Sequence, residues 1–205
     1  MLWGKSMTAG WRELTLKDIL YGVVVPLIVG LIIIAFQLSQ PLLMGTNPAL
    51  IGILVFGIGE VILIVAVPMF FGLLWNQWAG GASGFLLGSI YSLSTSQMYG
   101  LSGDKQFFLL GYVLSAMLIG YMAGALNKGS FSLIRMLIAG LVATIIGGLF
   151  VYLSMLLPGQ PINMAAPDYA YSLFLVMLPR IVYGIVIPII AKVFSWFGLT
   201  PRRMS

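Results

Sequence analysis

Two ionisable residues, Glu60 and Arg180, stand inside otherwise apolar stretches of this sequence. Glu60 is the only charged residue between Asp18 and Asp104, and Arg180 interrupts the run "LFLVMLPRIVYGIVIPII". A guanidinium and a carboxylate form strong charge-assisted hydrogen bonds, and charges inside a membrane pair with one another or line a polar cavity. The two residues therefore predict either a structural ion pair or part of a binding site for a polar solute.

Other chemistry is sparse in this chain. It has no Cys and no His, which excludes disulfides, thiolate or imidazole metal sites and the commonest general base. The "GASG" at Gly81–Gly84 matches the G-x-S-G of rhomboid-type intramembrane proteases, but those enzymes need a histidine to activate the serine. The basic residues are scattered and form no nucleic-acid patch. We expect no enzyme activity, no catalytic residue, no metal and no cofactor.

The composition predicts a membrane protein. Of 205 residues, 60% are hydrophobic and only 7% are charged, and the mean hydropathy is +1.08. Soluble domains carry about 25% charged residues, so this chain has too little polar surface to face water. Its apolar runs are continuous, which favours helices over a barrel with alternating residues. We predict an all-α, polytopic protein with one transmembrane domain over 1–205.

Six segments have the length of roughly 20 apolar residues that a membrane-spanning helix needs. They cover residues 19–37, 49–74, 80–98, 106–126, 132–157 and 170–197. The third is rich in Gly and Ser, which predicts a helix enclosed by others rather than exposed to lipid. Ladders of small residues suit close helix packing inside the protein: Gly80, Gly84 and Gly88; Gly120 and Gly124; Ala139, Ala143 and Gly147.

The distribution of Lys and Arg predicts the orientation. With both termini cytoplasmic, eight basic residues fall inside: Lys5, Arg12, Lys17, Lys128, Arg135, Lys192, Arg202 and Arg203. Only Lys105 falls outside, which agrees with the positive-inside rule for a plasma-membrane protein. All five Trp fall at the inner interface. The tyrosines of the outer half are either interface anchors or pocket walls, and for Tyr91 and Tyr112 we expect anchors. Residues 1–18 predict an amphipathic segment on the membrane surface rather than a cleavable signal.

Equal depth in the membrane makes Glu60 and Arg180 natural partners. Glu60 lies twelve residues after Pro48, and Arg180 lies twelve after Asp168, so each is roughly 18 Å below its helix start. Arg180 is the better candidate for contact with a solute, because its planar fork suits a carboxylate or phosphate. Pro179 cannot donate to the carbonyl of Leu175, which predicts a bent or loosened helix beside the arginine.

Three stretches carry a resemblance to a known family: "GGASGFLLGSIYSL", "LLGYVLSAMLIGYMAGALNKG" and "LIAGLVATIIGGLFVYLSMLLPG". Together with the final "LPRIVYGIVIPIIAKVF", the sequence resembles the substrate-binding S components of energy-coupling factor transporters over about residues 80–200. These proteins have about this length, six helices, a Gly-rich third helix and a "GxxAGxL" end to the fourth, here Gly120 to Leu126.

The resemblance implies a function and a set of partners. An S component captures a vitamin or similar small-molecule solute from outside, then docks on a transmembrane coupling protein driven by two ATPase subunits. Its pocket opens outward, and the matching positions here are Asn163, Asp168, Tyr171 and Arg180, with Glu60 opposite. The family's first helix often docks through an Ala-x-x-x-Ala face.

The chain departs from the family pattern at that docking face. Here the matching positions are Gly22, Pro26 and Gly30, which are small enough for close helix approach but are not alanine. Two other functions stay open. One is a non-transporting scaffold, as in six-helix cell-shape proteins of the MreD type. The other is a small secondary carrier in which Glu60 couples protons or ions.

Overall fold

The computed structural model describes residues 59–99, 107–156 and 169–197, together with Val24, Leu27, Ile28 and Leu31. Within these residues every element is helical and no strand occurs, so the predicted all-α class is confirmed. Three helical stretches are long and apolar enough to cross a membrane: Leu109–Asn127, Leu133–Met155 and Leu173–Trp196. The total of six spans and the cytoplasmic termini stay predictions.

Five α-helices and one π-helical turn make up the described bundle. The π-helical turn covers Val61–Ala66, and the helices are α1 (Val67–Leu74), α2 (Gln77–Tyr99), α3 (Phe107–Asn127), α4 (Leu133–Met155) and α5 (Tyr169–Trp196). Their bounds agree with the predicted second to sixth spans to within a few residues wherever those spans are described. Val24, Leu27, Ile28 and Leu31 are helical and exposed. The rest of the first span and the segment 1–18 lie outside the described residues.

A two-residue turn separates α1 from α2. Asn76 begins α2 as its N-cap, because its Oδ1 accepts a hydrogen bond of 2.8 Å from the backbone N–H of Ala79 and so satisfies one of the free donors of the first helical turn. At the same end, Asn127 of α3 donates from Nδ2 to the carbonyl of Leu73 at 3.1 Å. The end of α1 is thereby tied to the end of α3.

The backbones of α2 and α3 touch along the predicted ladders of small residues. A Cβ built on Gly80 would overlap the carbonyl of Gly120, and one on Gly84 would overlap the carbonyl of Ala116. Gly88 continues the contact, since its Cβ would lie 2.9 Å from Val113 Cα. Only residues without side chains permit this distance. The prediction that these ladders serve internal packing is confirmed.

The ladder occupies only one side of α2, and the opposite side is exposed. Phe85 and Leu93 are 53% and 65% exposed, whereas Ser83 and Leu87 are fully buried. The expectation of a wholly enclosed third helix is therefore wrong for this side. The small residues turn inward because they allow close approach, and the large apolar residues turn outward.

One end of the bundle collects basic and aromatic residues. Lys192 Nζ donates to the carbonyl of Phe131 at 2.5 Å and lies 5.7 Å from the centre of the Trp196 ring. Arg135 Nε donates to the carbonyl of Leu126 at 3.1 Å. The cations at this end thus bind carbonyl groups of the α3–α4 segment. Their shared position agrees with the prediction that they lie on the same side of the membrane.

Outer-half tyrosines do not have the predicted position. Tyr91 and Tyr112 are only 4% and 8% exposed, and their ring centres lie 5.3 Å apart. The expectation that both are interface anchors is wrong, because they face each other between α2 and α3. An aromatic ring that is buried in this way contributes to the core of the bundle.

Replacing Gly120 with Ala is expected to destabilise the protein by about 1–3 kcal/mol, because the new methyl group would force α2 and α3 apart. The measurement is unfolding in detergent micelles, followed by circular dichroism. Gly81→Ala is the matched control, since a Cβ there meets Tyr121 Cβ at an ordinary 3.4 Å. Equal loss of stability in both variants would show that the backbone contact is not the cause.

Candidate functional site

The predicted contact between Glu60 and Arg180 is confirmed. Arg180 Nη2 donates to Glu60 Oε1 at 2.6 Å, across 120 residues of sequence. Glu60 lies immediately before the π-helical turn, and Arg180 lies near the middle of α5, twelve residues before Lys192. The pair therefore joins two helical segments roughly 18 Å from the basic end of the bundle.

Arg180 is the more deeply buried residue of the pair. Its side chain is 4% exposed, and its Nη1 donates to the carbonyl of Val176 at 2.8 Å. Its Nε is buried and has no hydrogen-bond partner among the described residues. Both terminal nitrogens are thus bonded to protein groups, and the inner edge of the guanidinium is closed off from solvent.

A glycine on the neighbouring helix makes room for the arginine. A Cβ built on Gly148 of α4 would lie 3.1 Å from Arg180 Cδ and 2.6 Å from Met177 Sδ. Any larger residue at this position would push both side chains away from α4. Gly148 therefore allows the apolar stem of Arg180 to lie against α4 while the guanidinium reaches Glu60.

Glu60 is the more exposed residue of the pair. Its side chain is 20% exposed, about five times the exposed fraction of Arg180 beside it. Among the described residues it accepts a hydrogen bond only through Oε1, so Oε2 can still accept hydrogen bonds. The π-helical turn that follows Glu60 is a rare feature that is often found at functional sites.

Helix α5 contains Pro179 within its length, and the predicted bend beside Arg180 stays a prediction. The helix runs without a break from Tyr169 to Trp196 and contains both Pro179 and Pro188. The carbonyl that the guanidinium binds belongs to Val176 and not to Leu175, because an arginine that folds back along its own helix reaches the carbonyl four residues earlier.

The structure does not show where the side chains of the other predicted site residues lie, because they are outside its described part. Tyr171 lies in the first turn of α5, and its side chain is outside the described part. Asn163 and Asp168 also lie outside it, as do the predicted docking residues Gly22, Pro26 and Gly30. Their roles stay predictions.

Sequence reasoning missed two groups that complete the site. One is Gly148, which forms part of the pair Gly147–Gly148; only the first of these belongs to the predicted ladder. The second is the carbonyl of Val176, which belongs to the backbone and leaves no signal in residue type. Four-residue spacing to an arginine in a helix is the only pattern that indicates such a bond.

Among the described residues, no group of three or more acidic, His or Cys side chains occurs. The arrangement of Glu60 and Arg180 supports hydrogen bonding with a polar group. It offers a carboxylate on a side chain that is 20% exposed and is paired with a buried cation, and charge-assisted bonds of this kind are roughly twice as strong as neutral ones.

Comparison with protein-family models, with curated proteins and with solved structures returns no match for this chain.

Removing either charge is expected to destabilise the protein, with Glu60→Met having the larger effect of about 3–5 kcal/mol. Arg180 would then be buried without a counter-ion and cannot lose its proton. Arg180→Met should cost less, because the side chain of the remaining Glu60 is 20% exposed and is less desolvated than the arginine. The double variant should recover most of the loss. The measurement is a double-mutant cycle of unfolding in micelles.

Lys192→Met is the matched control for this cycle, since it removes a cation from the same helix at the end of the bundle. It should change stability by less than either single variant. Simple additivity of the two single losses in the double variant would contradict an energetic coupling between Glu60 and Arg180.

Proposed function

We propose that this protein is a membrane-embedded solute-binding subunit that captures a small polar molecule at the Glu60–Arg180 pair. The single observation that supports the proposal is the uneven exposure of the two charges. Arg180 is sealed at 4% exposure while Glu60 keeps 20%. A bridge with only a structural role has no need to leave the side chain of a charged residue partly exposed within an apolar bundle.

The energetics of the pair also favour a role beyond packing. Each buried charge loses several kcal/mol of hydration free energy, a cost that close packing of small residues between helices does not have. Ionisable residues inside membrane segments are therefore functional in most cases. The adjoining π-helical turn places a local irregularity of the helix next to Glu60.

The resemblance to S components of energy-coupling factor transporters supports a more specific proposal for location, solute and partners. Under this proposal the protein lies in the plasma membrane with both termini cytoplasmic. It takes a vitamin-like micronutrient from the external side and delivers it through a transmembrane coupling protein with two ATPase subunits. The chain itself would hydrolyse nothing, since it lacks the G-x-x-x-x-G-K-[ST] loop that binds nucleotide phosphates.

A second function, the non-transporting scaffold, is favoured by a different observation. Both terminal nitrogens of Arg180 are already bonded, one to Glu60 and one to Val176. An ion pair that is satisfied in this way is suited to holding two helices in register. Under this hypothesis no small molecule accompanies the protein, and neighbouring genes serve cell shape or division instead of nutrient import.

Native mass spectrometry of the purified protein tests the proposal. We expect the wild-type protein to carry a co-purified small molecule that is absent from Glu60→Met/Arg180→Met, because the double variant keeps an apolar contact but has no polar group to bind a solute. Lys192→Met is the control and should retain the molecule. An unliganded wild-type protein that forms assemblies with other membrane proteins would support the scaffold.

A further inference from the structure

We infer that the Glu60 carboxylate is the group that meets the solute, and that the solute presents a hydrogen-bond donor there, either an N–H or an O–H group. This inference rests on the proposed function and defines the chemical class of its ligand. It reverses the expectation from sequence, in which the Arg180 guanidinium binds an anionic solute.

The first reason is access. Arg180 is 4% exposed and Glu60 is 20% exposed, so a molecule that approaches the pair reaches the carboxylate before the guanidinium. The buried Nε of Arg180 is closed off from solvent. An anion could therefore bind Arg180 only after displacing Glu60 into apolar surroundings.

The second reason is bonding capacity. Arg180 has used two of its five N–H donors, one on the Val176 carbonyl and one on Glu60 Oε1, and its Nε–H is buried. Glu60 has used one oxygen within the described residues, and a carboxylate accepts about four hydrogen bonds. Since the side chain of Glu60 is 20% exposed and that of Arg180 only 4%, the capacity that a molecule reaches first is the acceptor capacity of the carboxylate.

The third reason is electrostatic. Because the cation is the more buried charge and the anion is the more exposed one, the pair is a dipole whose negative end is nearer to an approaching molecule. This end attracts ammonium and neutral donor groups and repels carboxylates and phosphates. Arg180 then acts as a positioning residue, which fixes the direction of the free oxygen of Glu60.

Three probes with the same ring separate the ligand classes: 4-fluorobenzylamine as a cationic donor, 4-fluorobenzamide as a neutral donor and 4-fluorobenzoate as an anion without a donor. Binding is measured by fluorine NMR with the protein in lipid nanodiscs, and empty nanodiscs correct for partition into lipid. We expect the wild-type protein to bind at least one of the two donors about tenfold or more tightly than the benzoate.

Glu60→Gln should reverse this preference. The amide oxygen of glutamine can still accept from Arg180 Nη2, which directs the NH₂ group to the position of the free carboxylate oxygen. The variant should lose at least tenfold in affinity for the donors and should gain affinity for the benzoate. A bridge with only a structural role would not change the order of the probes. Lys192→Gln is the control and should keep the wild-type order.

Two results would overturn the inference. Preferential binding of the benzoate by the wild-type protein would show that an anion displaces Glu60 from Arg180, and the proposed solute-binding function would survive. Failure of the wild-type protein to bind any of the three probes would also overturn it. The proposed function fails as well only if native mass spectrometry finds no co-purified molecule.

Discussion

The bond between Glu60 and Arg180 constrains the described bundle more than any other single contact. An arginine cannot lose its proton in a protein, so burying it requires an anion and an acceptor at fixed positions. Glu60 supplies the anion from the start of the π-helical turn, and Val176 supplies a carbonyl from the same helix as the arginine. Gly148 supplies the space for the stem. Three separate helical segments therefore have to meet at one level.

The rest of the bundle is held together by close packing of small residues. Lipid tails are as apolar as leucine, so apolar area alone gives little drive for helices to associate in a membrane. Direct backbone contact between Gly80 and Gly120 increases the dispersion energy that two helices can gain. This contact orients α2 and α3, which connect the segment before α1 to α4 and α5. The packing thus provides a rigid frame against which the charged pair is positioned.

The charged pair has a direction, and this direction changes the functional interpretation. From residue types alone, the guanidinium is the more attractive ligand-binding group because of its planar fork. In the structure the guanidinium is buried behind the carboxylate and its terminal donors are bonded. An acceptor is therefore what the pair presents outward. This exposure of Glu60 is the observation that supports the proposed solute-binding subunit over the proposed scaffold.

Much of the fold was determined by the sequence alone. Continuous apolar runs require helices because a membrane offers no water to the backbone, and the observed helix bounds follow the predicted spans closely. Equal distance from the helix starts was enough to pair Glu60 with Arg180. Only the tertiary structure decided which of the two charged side chains is more exposed, that the carbonyl of Val176 binds the guanidinium, and that Tyr91 and Tyr112 face the core. These outcomes depend on how each helix is rotated against its neighbours, and rotation follows from packing between residues that are distant in sequence.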